Sequence, residues 1–176
     1  REEESIDRYR EELSNEIEKE KFFQYIFYDQ WFDLKDYCNK KGIRILGDLP
    51  VYLNYESADV WANPELFKLD EEKRPESFSG VPPDDFSETG QLWRHPLYRW
   101  EELKKRDYDW WFNRLDHKLE LYDVLRMDHF RGYVAYWEVP AGEETAVNGE
   151  WVEGPALDLF PKIEDRYPDL PIIAED

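Results

Sequence analysis

The sequence predicts an α/β fold organised on a parallel sheet, and three observations predict it. Three short β-type runs each deliver acid at their carboxyl end: Ile43-Arg44-Ile45-Leu46-Gly47 into Asp48, Val124-Leu125-Arg126-Met127 into Asp128, and Ile172-Ile173-Ala174 into Glu175-Asp176. Before each run lies a segment with apolar residues three and four apart, the spacing of one helix face. Irregular stretches rich in Pro, Gly and aromatic residues follow the first two runs. Helix alternating with strand is the signature of a parallel sheet. In parallel α/β barrels catalytic groups come from the carboxyl ends of different strands. Asp48, Asp128 and Glu175 are therefore expected at one cleft.

The elements follow in order. Residues 1–21 are dominated by Glu, Lys and Arg, with Ile6, Tyr9, Leu13 and Ile17 making a narrow apolar stripe on a solvated helix. From Phe22 to Lys41 the pattern widens (Phe22, Phe23, Ile26, Phe27, Trp31, Leu34, Tyr37, Cys38), which predicts a helix with a broad buried face, capped by Gly42. The first strand is read over 43–48. Residues 49–100 carry Pro50, Pro64, Pro75, Pro82, Pro83, Pro96, Gly80 and Gly90 without periodicity. Connections of that length are functional loops, lids or structural Ω-loops. Tyr52, Tyr55, Trp61, Trp93 and Tyr98 in it are groove candidates. A helix over 101–122 (Trp110, Trp111, Leu115, Leu119, Tyr122) feeds a strand at 123–128. The second excursion, 133–155, holds Asn148-Gly149 between Ala146-Val147 and Trp151-Val152, which predicts a small hairpin. A helix at 156–166 and a turn at Asp169-Leu170-Pro171 lead into the strand at 172–174.

Composition narrows the function classes. Asp and Glu number 42 against 23 Lys and Arg, a formal charge of −19. Such a surface repels nucleic acid and anionic membrane, so neither is expected as a partner. With 8 Trp, 12 Tyr and 10 Phe, some rings are left over from core filling and suit a groove that stacks flat ligands. One cysteine, Cys38, excludes an intrachain disulfide. No metal site with convincing ligand spacing is visible, and no cofactor is expected. Residues 1–21 show no signal-peptide pattern, and no apolar run approaches a membrane span. A reducing cytoplasmic location is expected, or a plastid for a plant protein. A start at Arg1 and an end on Glu175-Asp176 lead to the expectation of an excerpt from a longer chain, with an unknown oligomeric state.

The chemistry centres on Val124–Gly132. Asp128 sits where a strand stops, between Arg126 and Arg131, and nearby positive charge favours an ionised carboxylate. A fixed, ionised carboxylate paired with a second acid is the equipment of glycosidic-bond chemistry. An ordinary ion pair at a strand end accounts for Asp128 alone equally well.

Longer motifs carry a family resemblance. Gly47-Asp48-Leu49-Pro50-Val51-Tyr52, Ser57–Ala62, Gly80–Asp84, Gly90–Trp93, Asp128-His129-Phe130-Arg131-Gly132, Pro140–Gly149 and Ile172–Asp176 resemble, in that order, the motifs of the 4-α-glucanotransferases, also called amylomaltases or disproportionating enzymes. The resemblance covers about Phe22 to Asp176. It implies a segment of a single catalytic domain, a partial TIM (β/α)8 barrel of the α-amylase superfamily with long insertions after barrel strands. It also implies retaining transfer of α-1,4-glucan segments to glucose or maltooligosaccharide acceptors. On this resemblance Asp128 is the nucleophile and Glu175 the general acid/base, with a raised pKa expected for Glu175. Arg126 holds the nucleophile. Asp48, Tyr52, Ser57, Trp61 and His129 contact or wall the sugar, and Asn148 and Gly149 belong to a loop arching over the glucan.

The sequence departs from the family pattern in three places. Asp84-Asp85-Phe86 stands where Asp-Tyr-Phe is usual, Arg94-His95-Pro96 where Gly-Asn-Pro is common, and Ala156 where a glycine is common. The family's third carboxylate lies on a later strand that this chain does not reach, so the segment alone is expected to be inactive. An α-amylase-type hydrolase and a non-catalytic glucan-binding module are the alternatives. The acid pair argues against the module and the arching loop against the hydrolase.

Overall fold

The computed structural model describes residues 3–176, which form two compact units divided after Ile45. The first unit is helical. Helix α1 (Glu3–Glu12) is followed by α2 (Ser14–Lys40), with the break at Leu13 rather than near residue 21. Gly42, at φ +75, follows the end of α2, in the left-handed conformation expected of a helix stop. The face read as buried is exposed here. No residue of α2 is buried, and Phe22, Phe23, Phe27 and Tyr37 stand about half open. A long amphipathic helix needs a partner layer, and the charged α1 offers this unit none.

The second unit holds two sheets. Strands β1 (Leu46–Pro50), β4 (Val124–Asp128) and β7 (Ile172–Ala174) form a parallel sheet in the order β1-β4-β7. The register places Asp48 beside Arg126 and Arg126 beside Ile173. Side chains alternate across a strand. Gly47, Leu49, Leu125 and Met127 are buried on one face, while Leu46, Asp48 and Arg126 lie on the other. Between β1 and β4 come α3 (Ala58–Ala62), a 3-10 turn at Pro64–Leu66, β2 (Ser77–Val81), β3 (Gln91–Pro96), α4 (Trp100–Lys105) and α5 (Asp109–Leu121). After β4 follow α6 (Arg131–Val134), β5 (Ala135–Pro140), β6 (Glu150–Glu153) and α7 (Ala156–Arg166). Strands β3-β2-β5-β6 make a separate antiparallel sheet. Both long excursions thus build one sheet, where the sequence suggested a functional loop, lid or Ω-loop in the first and a separate small hairpin in the second.

Three boundaries differ from expectation. The first strand is 46–50 rather than 43–48, with Pro50 as its last residue. The helix over 101–122 is two helices, broken by left-handed Asp107 and Tyr108. The hairpin strands are 135–140 and 150–153, so Asn148-Gly149 lies in a longer connection and is not its turn. The core is aromatic: Trp111, Tyr98, Tyr108, Tyr133 and Phe67 are closed to solvent and packed with Leu49, Leu125 and Met127.

Candidate active site

Strand alternation brings the acids together. Asp48 and Arg126 are register partners on one face of neighbouring strands, and Asp128 lies two residues further along β4 on that face. Arg126 is the hub. Its Nη1 donates to Asp48 Oδ1 at 2.8 Å, and its Nη2 lies 2.7 Å from Asp128 Oδ1 and 3.3 Å from Glu175 Oε2. One nitrogen therefore touches both Asp128 and Glu175, although 47 positions separate them. All four side chains are part-exposed, Arg126 at 34% and Asp48 at 54%. Three carboxylates on one guanidinium leave excess negative charge at the sheet's mouth, which suits a site where positive charge develops.

Glu175 departs from expectation. Its carboxyl lies below the usual carboxylate range, not above it. The main-chain N–H of His129, which donates to Oε2 at 3.0 Å, is the largest cause, and the Arg126 guanidinium adds to it against the upward push of partial burial. Arg131 does not flank Asp128 as the sequence suggested. Its guanidinium stacks 4.4 Å from the Trp151 ring, and its N–H donates to Asp176 Oδ1 at 2.8 Å.

The other expected site residues are spread differently. Tyr52 is 7% exposed, its ring packed against Trp93, Tyr98 and His129. The His129 ring lies edge-on to Trp93 at 4.8 Å, and burial holds it below the ordinary histidine value. Ser57 caps α3 by accepting from the Val60 N–H at 3.3 Å, and Trp61 is 63% exposed on that helix. Asn148 donates to Glu143 Oε2 at 3.0 Å. Asn148 and Gly149 line a hollow of about 440 Å³ with Lys68, Ser77 and Glu138, which contains none of the three carboxylates. Two participants escaped the sequence reading. Lys118 of α5 feels the Asp48 charge. The Lys68–Glu138 ion pair, 2.5 Å long, lines the hollow. Neither follows from a linear motif, since each pair is formed by chain crossing. Among the described residues no cluster of His, Cys, Asp and Glu is arranged to hold a metal ion. No helix among them is long and apolar enough to cross a membrane.

A family model described as 4-alpha-glucanotransferase matches residues 1–176. The chain is 51% identical to a 4-alpha-glucanotransferase of Clostridium butyricum, covering 100% of this chain and 36% of that protein. It is 53% identical to one of Aquifex aeolicus, with the same coverage of each. The chain thus spans about a third of the length of these relatives. Among solved structures it is similar to an amylomaltase from Streptococcus agalactiae in complex with acarbose, at a TM-score of 0.96 and 49% identity, over 100% of this chain and 36% of that one. An amylomaltase from Corynebacterium glutamicum shares the fold, with a TM-score of 0.71 and 19% identity over 87% of this chain and 24% of that one.

Proposed function

The chain belongs to the 4-alpha-glucanotransferase family, and from that premise we propose that the complete protein transfers α-1,4-glucan segments through a covalent intermediate on Asp128. The parallel strands β1, β4 and β7 are then part of a (β/α)8 barrel whose remaining strands lie outside this chain. The chain alone is inactive on this reading. In the first half-reaction an Asp128 oxygen bonds to the anomeric carbon as the glycosidic C–O bond breaks, and Glu175 gives its proton to the departing sugar oxygen. In the second, Glu175 takes the proton of an acceptor hydroxyl, and that oxygen displaces Asp128. Both the bond and the stereochemistry are restored, as retaining chemistry requires. The similarity to an amylomaltase structure with acarbose supports an oligosaccharide in this cleft.

The observation that carries the reading is the shared Arg126 Nη2. It holds Asp128 and Glu175 within one donor's reach, the proximity that an attacking carboxylate and its partner acid need. Glu175 needs a proton that the ligand-free site disfavours. A sugar entering between the acids expels water, so the desolvation that already pushes Glu175 upward grows and moves it toward protonation.

Incubating the full-length protein with maltotriose tests this. Glucose plus longer dextrins are expected, and Asp128→Asn is expected to abolish turnover while glucan binding survives. Glucose and maltose alone would make the protein a hydrolase, and an active Asp128→Asn would remove the nucleophile assignment.

A further inference from the structure

The four residues after β4 turn in a way that the acid pair does not require. His129 has φ +48, in the left-handed region that non-glycine residues enter rarely. Phe130 then returns to right-handed geometry at φ −55 and ψ −33. Adjoining left- and right-handed residues swing successive N–H groups to one side, forming a concavity that suits anionic oxygen. Here three consecutive N–H groups are spent on the end of β7. His129 donates to Glu175 Oε2 at 3.0 Å, Phe130 to the Glu175 carbonyl at 2.6 Å, and Arg131 to Asp176 Oδ1 at 2.8 Å. The carboxylate of one strand is thus aimed by the main chain that leaves its neighbour.

The His129 side chain holds that turn. Its ring meets Trp93 edge-on at 4.8 Å and Tyr52 at 6.2 Å. On a third side Gly132 fits so closely that an added Cβ would come to 3.0 Å from His129 Cδ2. The imidazole Nε2 is buried and makes no hydrogen bond among the described residues. The ring is wedged by shape, with no polar contact at Nε2 to account for its place.

We propose that His129 is a positioning residue for Glu175: its wedged ring keeps the backbone left-handed, and the backbone N–H keeps the Glu175 carboxyl pointed at the departing sugar oxygen. This rests on the reading of Glu175 as general acid, and one experiment separates the two. In the full-length enzyme, kcat/KM is measured for maltotriose and for α-maltosyl fluoride, whose fluoride leaves without needing a proton. Glu175→Gln is the standard, and it should lose at least about 100-fold on maltotriose, the scale of general-acid catalysis, while keeping most activity on the fluoride. His129→Ala should then lose roughly 10- to 100-fold on maltotriose, within that scale, and less than about 3-fold on the fluoride. His129→Asn should recover most of the loss, because Asn tolerates the left-handed backbone. Equal losses on both substrates, no loss on maltotriose, or an Asn variant no better than Ala would overturn the positioning role. A Glu175→Gln that falls equally on both would overturn the acid assignment instead.

Discussion

Arg126 carries more than one exposed ion pair would. Single surface pairs contribute little, but here one guanidinium gathers three carboxylates from three strands. On the proposed mechanism, Arg126→Gln should cost at least about 100-fold in transfer by the full-length enzyme, since it removes the one cation that positions all three carboxylates. The variant also has a pH signature. Arg126 holds Glu175 down, so its removal raises Glu175, and the limb where kcat/KM falls with rising pH should move to higher pH. In the parent enzyme the same limb should lie higher for kcat than for kcat/KM, because only the former reports the sugar-bound state. Coincident limbs would contradict a Glu175 that rises on binding.

Two histidines make a residue-scale prediction about stability. Burial holds His95 and His129 below the ordinary value of 6.5. As pH falls through 6.5 the unfolded chain takes up protons before the folded one. Their contribution is therefore whole above that pH and is lost as pH drops toward the folded values. The Tm of the full-length protein should fall between pH 7.5 and 5.5, and His95→Gln should flatten that slope. An unchanged slope would show that His95 titrates normally.

Among elements, β1 is constrained by what lies over it. A Cβ on Gly47 would stand 2.1 Å from the Tyr122 ring. Gly47→Ala should destabilise by about 1–3 kcal/mol, the usual cost of overpacking, read as a lower denaturation midpoint of the full-length protein. What the sequence disclosed follows the same logic. Helix α7 and strands β4 and β7 stand nearly where periodicity and apolar runs put them; α7 and β4 meet the core with a clean face, and β7 is held by its pairing with β4. Strands β2 and β3 were illegible. Ser77-Phe78-Ser79-Gly80-Val81 and Gln91–Pro96 are short and carry Gly, Pro or charge, and they are strands only because β5 lies beside β2. The break at Asp107-Tyr108 has no Gly or Pro to announce it. In the site, acid at three strand ends was readable as a pattern. The service of His129 was not, because it depends on a main-chain N–H and a ring wedged between Tyr52, just after β1, and Trp93 of β3.

Over the whole molecule, the parallel sheet presents β1 and β7 as open edges, and Leu46 and Ile173 are 53% and 51% exposed. Unpaired edges and apolar faces recruit other chains. Residues 1–176 expressed alone should self-associate despite the net charge of −19, whereas the full-length protein should not. Light scattering distinguishes the two, and a monodisperse, monomeric isolated chain would contradict the expectation. The central claim is that sheet geometry brings Asp128 and Glu175 to one sugar, with Asp128 bonding to it. Mass spectrometry of the full-length enzyme after exposure to 5-fluoro-α-glucosyl fluoride tests that most directly. A glycosyl adduct on the peptide containing Asp128, absent in Asp128→Asn, is the predicted result; an adduct on another residue, or turnover with no adduct at any time, would contradict it.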